Sequence, residues 1–163
     1  EREQRLKETG EEIVKDLEPL YEQKAEARRP DIWVIRGERN LGGKVSEMLA
    51  RARVEVLVSL PVLPRELLEP GNISPLLAAK NLNLRVITSE RGKHIGKLKA
   101  IPNLEVRFRK PLFGGGVIVD GNEVLLLLAS AGEKLGVWSN EVGLAKFAKE
   151  YFEYLWRDSK VRS

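Results

Sequence analysis

Apolar residues recur along the chain in two rhythms, and their alternation predicts a layered α/β domain. The first 29 residues carry a helical rhythm. Leu6, Gly10, Ile13, Leu17, Leu20 and Ala27 fall on a heptad seam that Lys24 interrupts, and the other faces are heavily charged. A seam this narrow wants a partner helix rather than a broad core face. Residues 1–29 are therefore expected to form a coiled-coil or dimerisation helix, with Leu6, Ile13, Leu17, Leu20 and Ala27 at the contact. A terminal helix packed on its own domain is the alternative. Gly10 and Pro19 weaken the helix, Pro19 by removing a backbone donor, and Pro30 stops it.

Residues 30–163 read as a second unit. Asp31 to Arg36 is a short buried strand. Leu41, Val45, Met48, Leu49 and Ala52 repeat at helical spacing between Asn40 and Arg53, with Asn40 as the expected N-cap. Val54 to Leu60 is rich in β-branched and apolar residues, as a central strand is. Residues 65–69, 74–81 and 91–100 are helical pieces, the second opened by Ser74 and Pro75. Leu84 to Thr88 and Leu104 to Phe108 are strands. Gly116 to Asp120 and Glu123 to Leu128 make a hairpin around a tight turn, and Leu135 to Trp138 is a last short strand. Val142 to Trp156 is amphipathic, with Leu144, Phe147, Ala148, Tyr151, Phe152, Leu155 and Trp156 on one face. Strands alternating with helices imply a mixed, mainly parallel sheet flanked by helices.

Composition narrows the chemistry. The 163 residues contain no cysteine and one histidine. A disulfide framework, a thiol nucleophile, Cys-ligated metal and multi-His metal centres are excluded. No cofactor is implied. No apolar run approaches the roughly 20 residues that span a bilayer, and residues 1–12 lack a signal-peptide pattern. A cytoplasmic protein is expected. The chain starts at Glu1 without a Met, as a fragment of a longer protein would. The net charge is +4, but acids interleave the bases almost everywhere. Only Arg85, Arg91, Lys93, Lys97, Lys99, Arg107, Arg109 and Lys110 make a locally basic stretch, which reads as a solvated face rather than a nucleic-acid surface.

Candidate chemistry is sparse. Phe113-Gly114-Gly115-Gly116 is followed by a strand, so it lacks the helix N-terminus that a phosphate-cradling loop uses. Glu66 and Glu69 share a helical face and read as solvated. Ser89 stands too close to His94 for a Ser-His-Asp arrangement, and no elbow surrounds any serine. Nothing compels an enzyme.

The hairpin Gly116-Val117-Ile118-Val119-Asp120-Gly121-Asn122-Glu123-Val124-Leu125-Leu126 resembles the strand–Asp–turn–strand of the phospholipase D superfamily. That family carries His-x-Lys-x4-Asp there. With Asp120 as the Asp, the His position is Phe113 and the Lys position is Gly115. The Gly-Ser-x-Asn that follows in the family is replaced by Leu127-Leu128, with Ser130 beyond. The resemblance therefore implies the fold without the phospho-enzyme chemistry, which needs the His as nucleophile and acid. In its degenerate form the sequence is similar to TrmB-like archaeal transcription regulators. Val45 to Pro61, a helix running into an apolar strand and a proline, carries that likeness. So do the Val-Ile-Val-Asp-Gly hairpin and Gly136-Val137-Trp138-Ser139-Asn140 leading into Tyr151-Phe152-Glu153-Tyr154-Leu155-Trp156. The family places a winged helix for DNA before a coiled coil and this domain.

The resemblance implies a non-catalytic effector-sensing and dimerisation domain, homodimeric, reaching DNA only through a domain not present in this chain. A small-molecule effector, a sugar or other, is the expected ligand. Its candidate contacts are Ser59, Glu90, His94, Asp120, Trp138, Ser139 and Asn140. The first three stand near predicted strand C-termini, where open α/β sheets bind ligands. Trp138 is either a platform for a sugar ring or a core aromatic. Asp120 either contacts ligand or fixes the turn. The competing readings are a phospholipase D-superfamily phosphodiesterase with a non-standard site and a ligand-free structural dimerisation module.

Overall fold

The runs read as strands assemble into a single sheet. A computed structural model describes residues 31–61, 81–89, 101–112, 114–130 and 133–161, all in the unit Asp31–Ser163. The described elements are β1 (Ile32–Arg36), α1 (Glu38–Arg51), β2 (Glu55–Leu60), β3 (Asn83–Thr88), β4 (Leu104–Phe108), β5 (Gly115–Val119), β6 (Glu123–Ser130), β7 (Glu133–Ser139) and α2 (Val142–Arg157). The strand order is β1-β7-β6-β5-β2-β3-β4. The helix expected over residues 1–29, with its seam of Leu6, Ile13, Leu17, Leu20 and Ala27, lies outside the described residues. So do the helical pieces at 65–69, 74–81 and 91–100.

The sheet is mixed, as expected, but it is mostly antiparallel rather than mainly parallel. Only β2–β3 and β3–β4 run parallel. The pairs β1–β7, β7–β6, β6–β5 and β5–β2 are antiparallel. The physical reason is hairpin closure. β5 returns along the free edge of β2, a tight turn brings β6 back beside it, and β7 pairs antiparallel with β6. β1 and β2 point the same way across α1, yet three strands stand between them.

α1 and α2 cover opposite faces. Leu41, Met48, Leu49 and Ala52 of α1 pack on Val56, Leu84, Val86, Val117, Val119, Leu125 and Trp138. Ala145, Phe152, Leu155 and Trp156 of α2 pack on Leu57, Ile87, Ile118 and Val124. Consecutive residues of β2, β5 and β6 therefore face opposite layers, and Val56-Leu57, Val117-Ile118-Val119 and Val124-Leu125 are buried on both, which is why these strands read as apolar runs. Gly136 lets α1 settle onto the sheet, because a Cβ there would meet the side chain of Leu41.

α1 starts at Gly37, whose φ of 89° suits glycine. Asn40 is not its N-cap. The helix begins two residues earlier, and the Asn40 side-chain amide donates back to the Arg36 carbonyl at 2.9 Å. α2 is capped by Glu141, whose carboxylate accepts from the Leu144 amide at 2.7 Å.

The two edges of the sheet differ. At β4, Phe108 exchanges backbone hydrogen bonds with Lys160. At β1, Ile32, Trp33 and Val34 are 67%, 59% and 59% exposed.

Candidate functional site

The candidate residues lie at the two ends of the sheet. The carboxyl end of β2, the start of β5 and the later half of β6 form one. The start of β2, the β5–β6 turn, the end of β7 and the start of β1 form the other.

At the first end, Ser59 pairs with Gly116 and Ile87. Gly115 stands at the position that the sequence resemblance matches to the lysine of the His-x-Lys-x4-Asp pattern. A Cβ on Gly115 would fall on the Ser59 carbonyl oxygen and lie 2.9 Å from a Leu60 methyl. The backbone of β2 therefore occupies the space through which a side chain at 115 would leave the strand.

At the second end, a groove of about 620 Å³ is lined by residues from β1, α1, the β5–β6 turn and β7, among them Asp31, Trp33, Lys44, Arg51, Trp138 and Asn140. Its floor is an ionic network around one buried carboxylate. Glu123 opens β6 and is 7% exposed. Arg51 reaches it with Nη2 at 2.6 Å from Oε1 and Nε at 3.3 Å from Oε2. The Trp138 indole N–H donates to the same Oε1 at 3.0 Å. A buried carboxylate is tolerable only with such partners. The hydrogen bond to Glu123 raises the Arg51 guanidinium above its ordinary range, against the opposing effect of burial.

Lys44 bridges the floor and the wall. Its ammonium lies 3.9 Å from the Trp138 ring centroid and 6.0 Å from that of Trp33, in cation–π geometry. Its nitrogen is also 3.3 Å from a Glu47 carboxylate oxygen. Lys44, and then Arg51, hold the Glu47 carboxyl below its ordinary range. At the rim, the Asn140 amide oxygen accepts from the Asp31 backbone N–H at 2.7 Å.

The sequence candidates fall into separate places. Trp138 and Asn140 meet in the groove. Trp138 is 8% exposed, with its N–H on Glu123 and its face under Lys44, so the ring open to solvent there is Trp33. Ser139 is fully buried, and its hydroxyl accepts from the Glu141 amide at 3.0 Å. Asp120 lines the adjoining hollow of about 690 Å³. Its carboxylate accepts from the backbone N–H groups of Arg53, Val54 and Glu55 at 3.0, 2.8 and 3.0 Å. Its own φ of 55° and that of Gly121, 68°, place both central turn residues in the left-handed region. Asp120 thus ties the α1–β2 connection to the β5–β6 turn. Ser59 stands at the opposite end of the sheet. Glu90 and His94 lie outside the described residues.

Sequence reading missed Trp33, Lys44, Arg51 and Glu123. Lys44, Glu47 and Arg51 do share one flank of α1 by their spacing, and Glu123 is a carboxylate at the head of an apolar strand. Which strands bring them together depends on a sheet order that no local pattern encodes.

Chemically, the groove offers an exposed aromatic face, one ammonium, one guanidinium, carboxylates and amides. These suit binding of a polar ligand. Its lining has no serine, cysteine or histidine to act as a nucleophile. Among the described residues no cluster of three or more His, Cys, Asp or Glu side chains is placed to hold a metal ion, and no helix is long and apolar enough to cross a membrane.

The fold is shared with proteins of several kinds. TrmBL2, described as an archaeal chromatin protein with a novel mode of DNA binding, superposes with a TM-score of 0.64 at 19% identity over 99% of this chain. The chain spans 64% of the length of TrmBL2. NucT from Helicobacter pylori gives 0.69 at 15% identity, with 82% of this chain and all of NucT covered. Nuc from Salmonella typhimurium, a phospholipase D family member, gives 0.59 at 18% identity over 83% of this chain. No protein-family model and no curated protein matches the sequence. At these identities the likeness shows the fold, which is phospholipase D-like.

Proposed function

We propose that the chain is a non-catalytic regulatory domain of a TrmB-like transcription regulator, which senses a small polar effector in the Trp33–Lys44–Asn140 groove. The observation that carries this reading is Gly115. It stands where the superfamily has its lysine, and β2 leaves no space for a side chain there. Asp120 keeps the family's aspartate, but its carboxylate is bound to three backbone amides. A phosphodiester would find neither the nucleophile nor the cation that its hydrolysis needs.

The groove supports sensing through its position. It joins α1, β1 and the end of β7 around one ionic network, so a ligand seated there touches three elements at once. A ligand shifts such a domain only as far as it binds two arrangements with different affinity. TrmBL2 is described as binding DNA. In this reading DNA is contacted by a winged helix outside the 163 residues, and the domain acts as a homodimer.

The test is a fluorescence titration of the full chain with a panel of mono- and disaccharides, run beside an assay with bis-p-nitrophenyl phosphate. Expected are no phosphodiester turnover and, for one class of saccharide, a saturable change. Lys44→Met and Asn140→Ala should each weaken it at least tenfold. Turnover of the phosphodiester would overturn the non-catalytic reading. Absence of any saccharide response would favour the ligand-free structural module.

A further inference from the structure

We propose that the β1 edge is a homodimer interface, at which β1 of one copy pairs antiparallel with β1 of a second to give one continuous sheet. This inference does not rest on the sensing reading, since a dimer built this way stands with or without an effector.

The backbone shows which groups are free. The Gly37 amide donates to the Lys134 carbonyl at 3.0 Å, and the Asp31 amide donates to the Asn140 side chain at 2.7 Å. In an antiparallel ladder such residues alternate. Odd-numbered residues of β1 therefore turn their peptide groups toward β7. Ile32, Val34 and Arg36 turn theirs outward, along the sheet plane; the Arg36 carbonyl already accepts from the Asn40 side chain, and the groups of Ile32 and Val34 are the ones that only another strand meets as a ladder.

The side chains say what that strand must be. Trp33 faces Trp138 across the ladder and lies on the α1 side. Ile32 and Val34 lie on the α2 side, and all three are more than half exposed. The strand is thus apolar on both faces, as interior strands are. α2 packs over β2, β5 and β6, and Leu128, Phe147 and Tyr151 are exposed as well. Nearby charges are already paired: Arg36 with Glu133 at 3.3 Å and Lys134 with Glu38 at 2.9 Å. The opposite edge is defended differently. β4 carries Glu105 and Arg107, and Lys160 occupies the outer backbone groups of its last residue, Phe108. The run Ile32–Ile35 of β1 carries no charge and no proline, and an edge segment of that kind invites pairing.

A second copy fits this edge because an antiparallel strand pair has a two-fold axis, so one surface serves both partners. With that axis perpendicular to the sheet, facing residues lie on the same side and their numbers sum to an even value. One such register sets Val34 against Val34 and leaves Arg36 facing Ile32. The other sets Trp33 against Trp33 and Ile32 against Val34, apolar on apolar at every central position. We assign the second. It brings the two Trp33 rings, and with them the two grooves, to the symmetry axis.

The chain has no cysteine, so a single introduced thiol reports the contact cleanly. In the assigned register residue 33 faces its own copy as a non-hydrogen-bonded pair with Cα atoms about 4.5 Å apart, within the disulfide range. Trp33→Cys in the full chain should therefore form a covalent dimer under mild oxidation, and Ser46→Cys on the exposed side of α1 should not. Adding Val34→Pro should cut the cross-link yield at least tenfold. It removes an outward donor while leaving the β7 ladder intact, so circular dichroism should stay native. Light scattering should give a dimer mass for the unaltered chain. A monomer mass, a yield from Trp33→Cys no higher than from Ser46→Cys, or a yield untouched by Val34→Pro would overturn the proposal. A disulfide from Val34→Cys but not from Trp33→Cys would overturn the register.

Discussion

The backbone of Ser59 excludes a side chain at Gly115: the β2 carbonyl of Ser59 sits where a Cβ on Gly115 would be. The absence of a lysine at 115 is therefore built into the backbone, and a single substitution does not reverse it.

Restoring the family pattern with Phe113→His and Gly115→Lys should not create a phosphodiesterase. The added side chain has to displace β2, at a cost of about 1–3 kcal/mol for overpacking a closely fitted site. The check is a denaturant midpoint for Gly115→Ala and a phosphodiesterase assay for the double variant. An unchanged midpoint would show that β2 yields freely.

Asp120→Ala should lower stability by about 2–4 kcal/mol, because it leaves backbone donors without their charged acceptor and puts alanine at positive φ. Asp120→Asn tolerates the left-handed conformation and keeps an acceptor, so its loss should be about half as large. Chemical denaturation of both variants separates the hydrogen bonds from the backbone strain.

Arg51→Met should cost about 2 kcal/mol. It strips Glu123 of its fork and leaves that buried carboxylate to the Trp138 N–H alone, while the exposure of the arginine limits the loss. Calorimetry reads the cost. Arg51→Lys should recover less than half, since an ammonium cannot replace the two-pronged contact.

Acid should weaken a second ion pair. Arg85 grips Glu153 with Nη1 at 3.0 Å from Oε2, and the hydrogen bond holds the Glu153 carboxyl below its ordinary range. A carboxyl lowered by folding stabilises the fold above its unfolded pKa of about 4.3 and loses that contribution as pH falls through the folded value. Glu153→Gln should cost about 1 kcal/mol at pH 7, a partly exposed pair being worth little more. The gap to the unaltered protein should close toward pH 3. A gap independent of pH would mean that Glu153 acts by packing.

Much of the layered domain was legible because its signals are local. The β5–β6 hairpin announced itself through Asp120-Gly121, and both helices through their apolar spacing. The sheet's direction was not legible. The expected parallel pairing holds for β2, β3 and β4, but β1 crosses to the far edge and meets β7, which no periodicity records. The candidate site divided along the same line. Trp138 and Asn140 were found from their motif, whereas Lys44, Arg51 and Glu123 gain meaning only once β6 and β7 lie beneath α1. Trp138 read equally well as platform or core residue until Lys44 was seen to cover it.

The partnership of β1 with β7 has a consequence for how the chain matures. Asp31 and Asn140 stand 109 residues apart in sequence, and Asp120 meets Arg53 across 67. Contacts this distant must close large loops before they repay the lost freedom, which slows folding. On the ribosome, β1 waits without its neighbour until nearly the whole domain has emerged. Throughout that interval Ile32, Trp33 and Val34 are open to any passing strand. The arrival of β7 therefore closes only the inner edge of β1, and the outer edge stays open after the domain has formed.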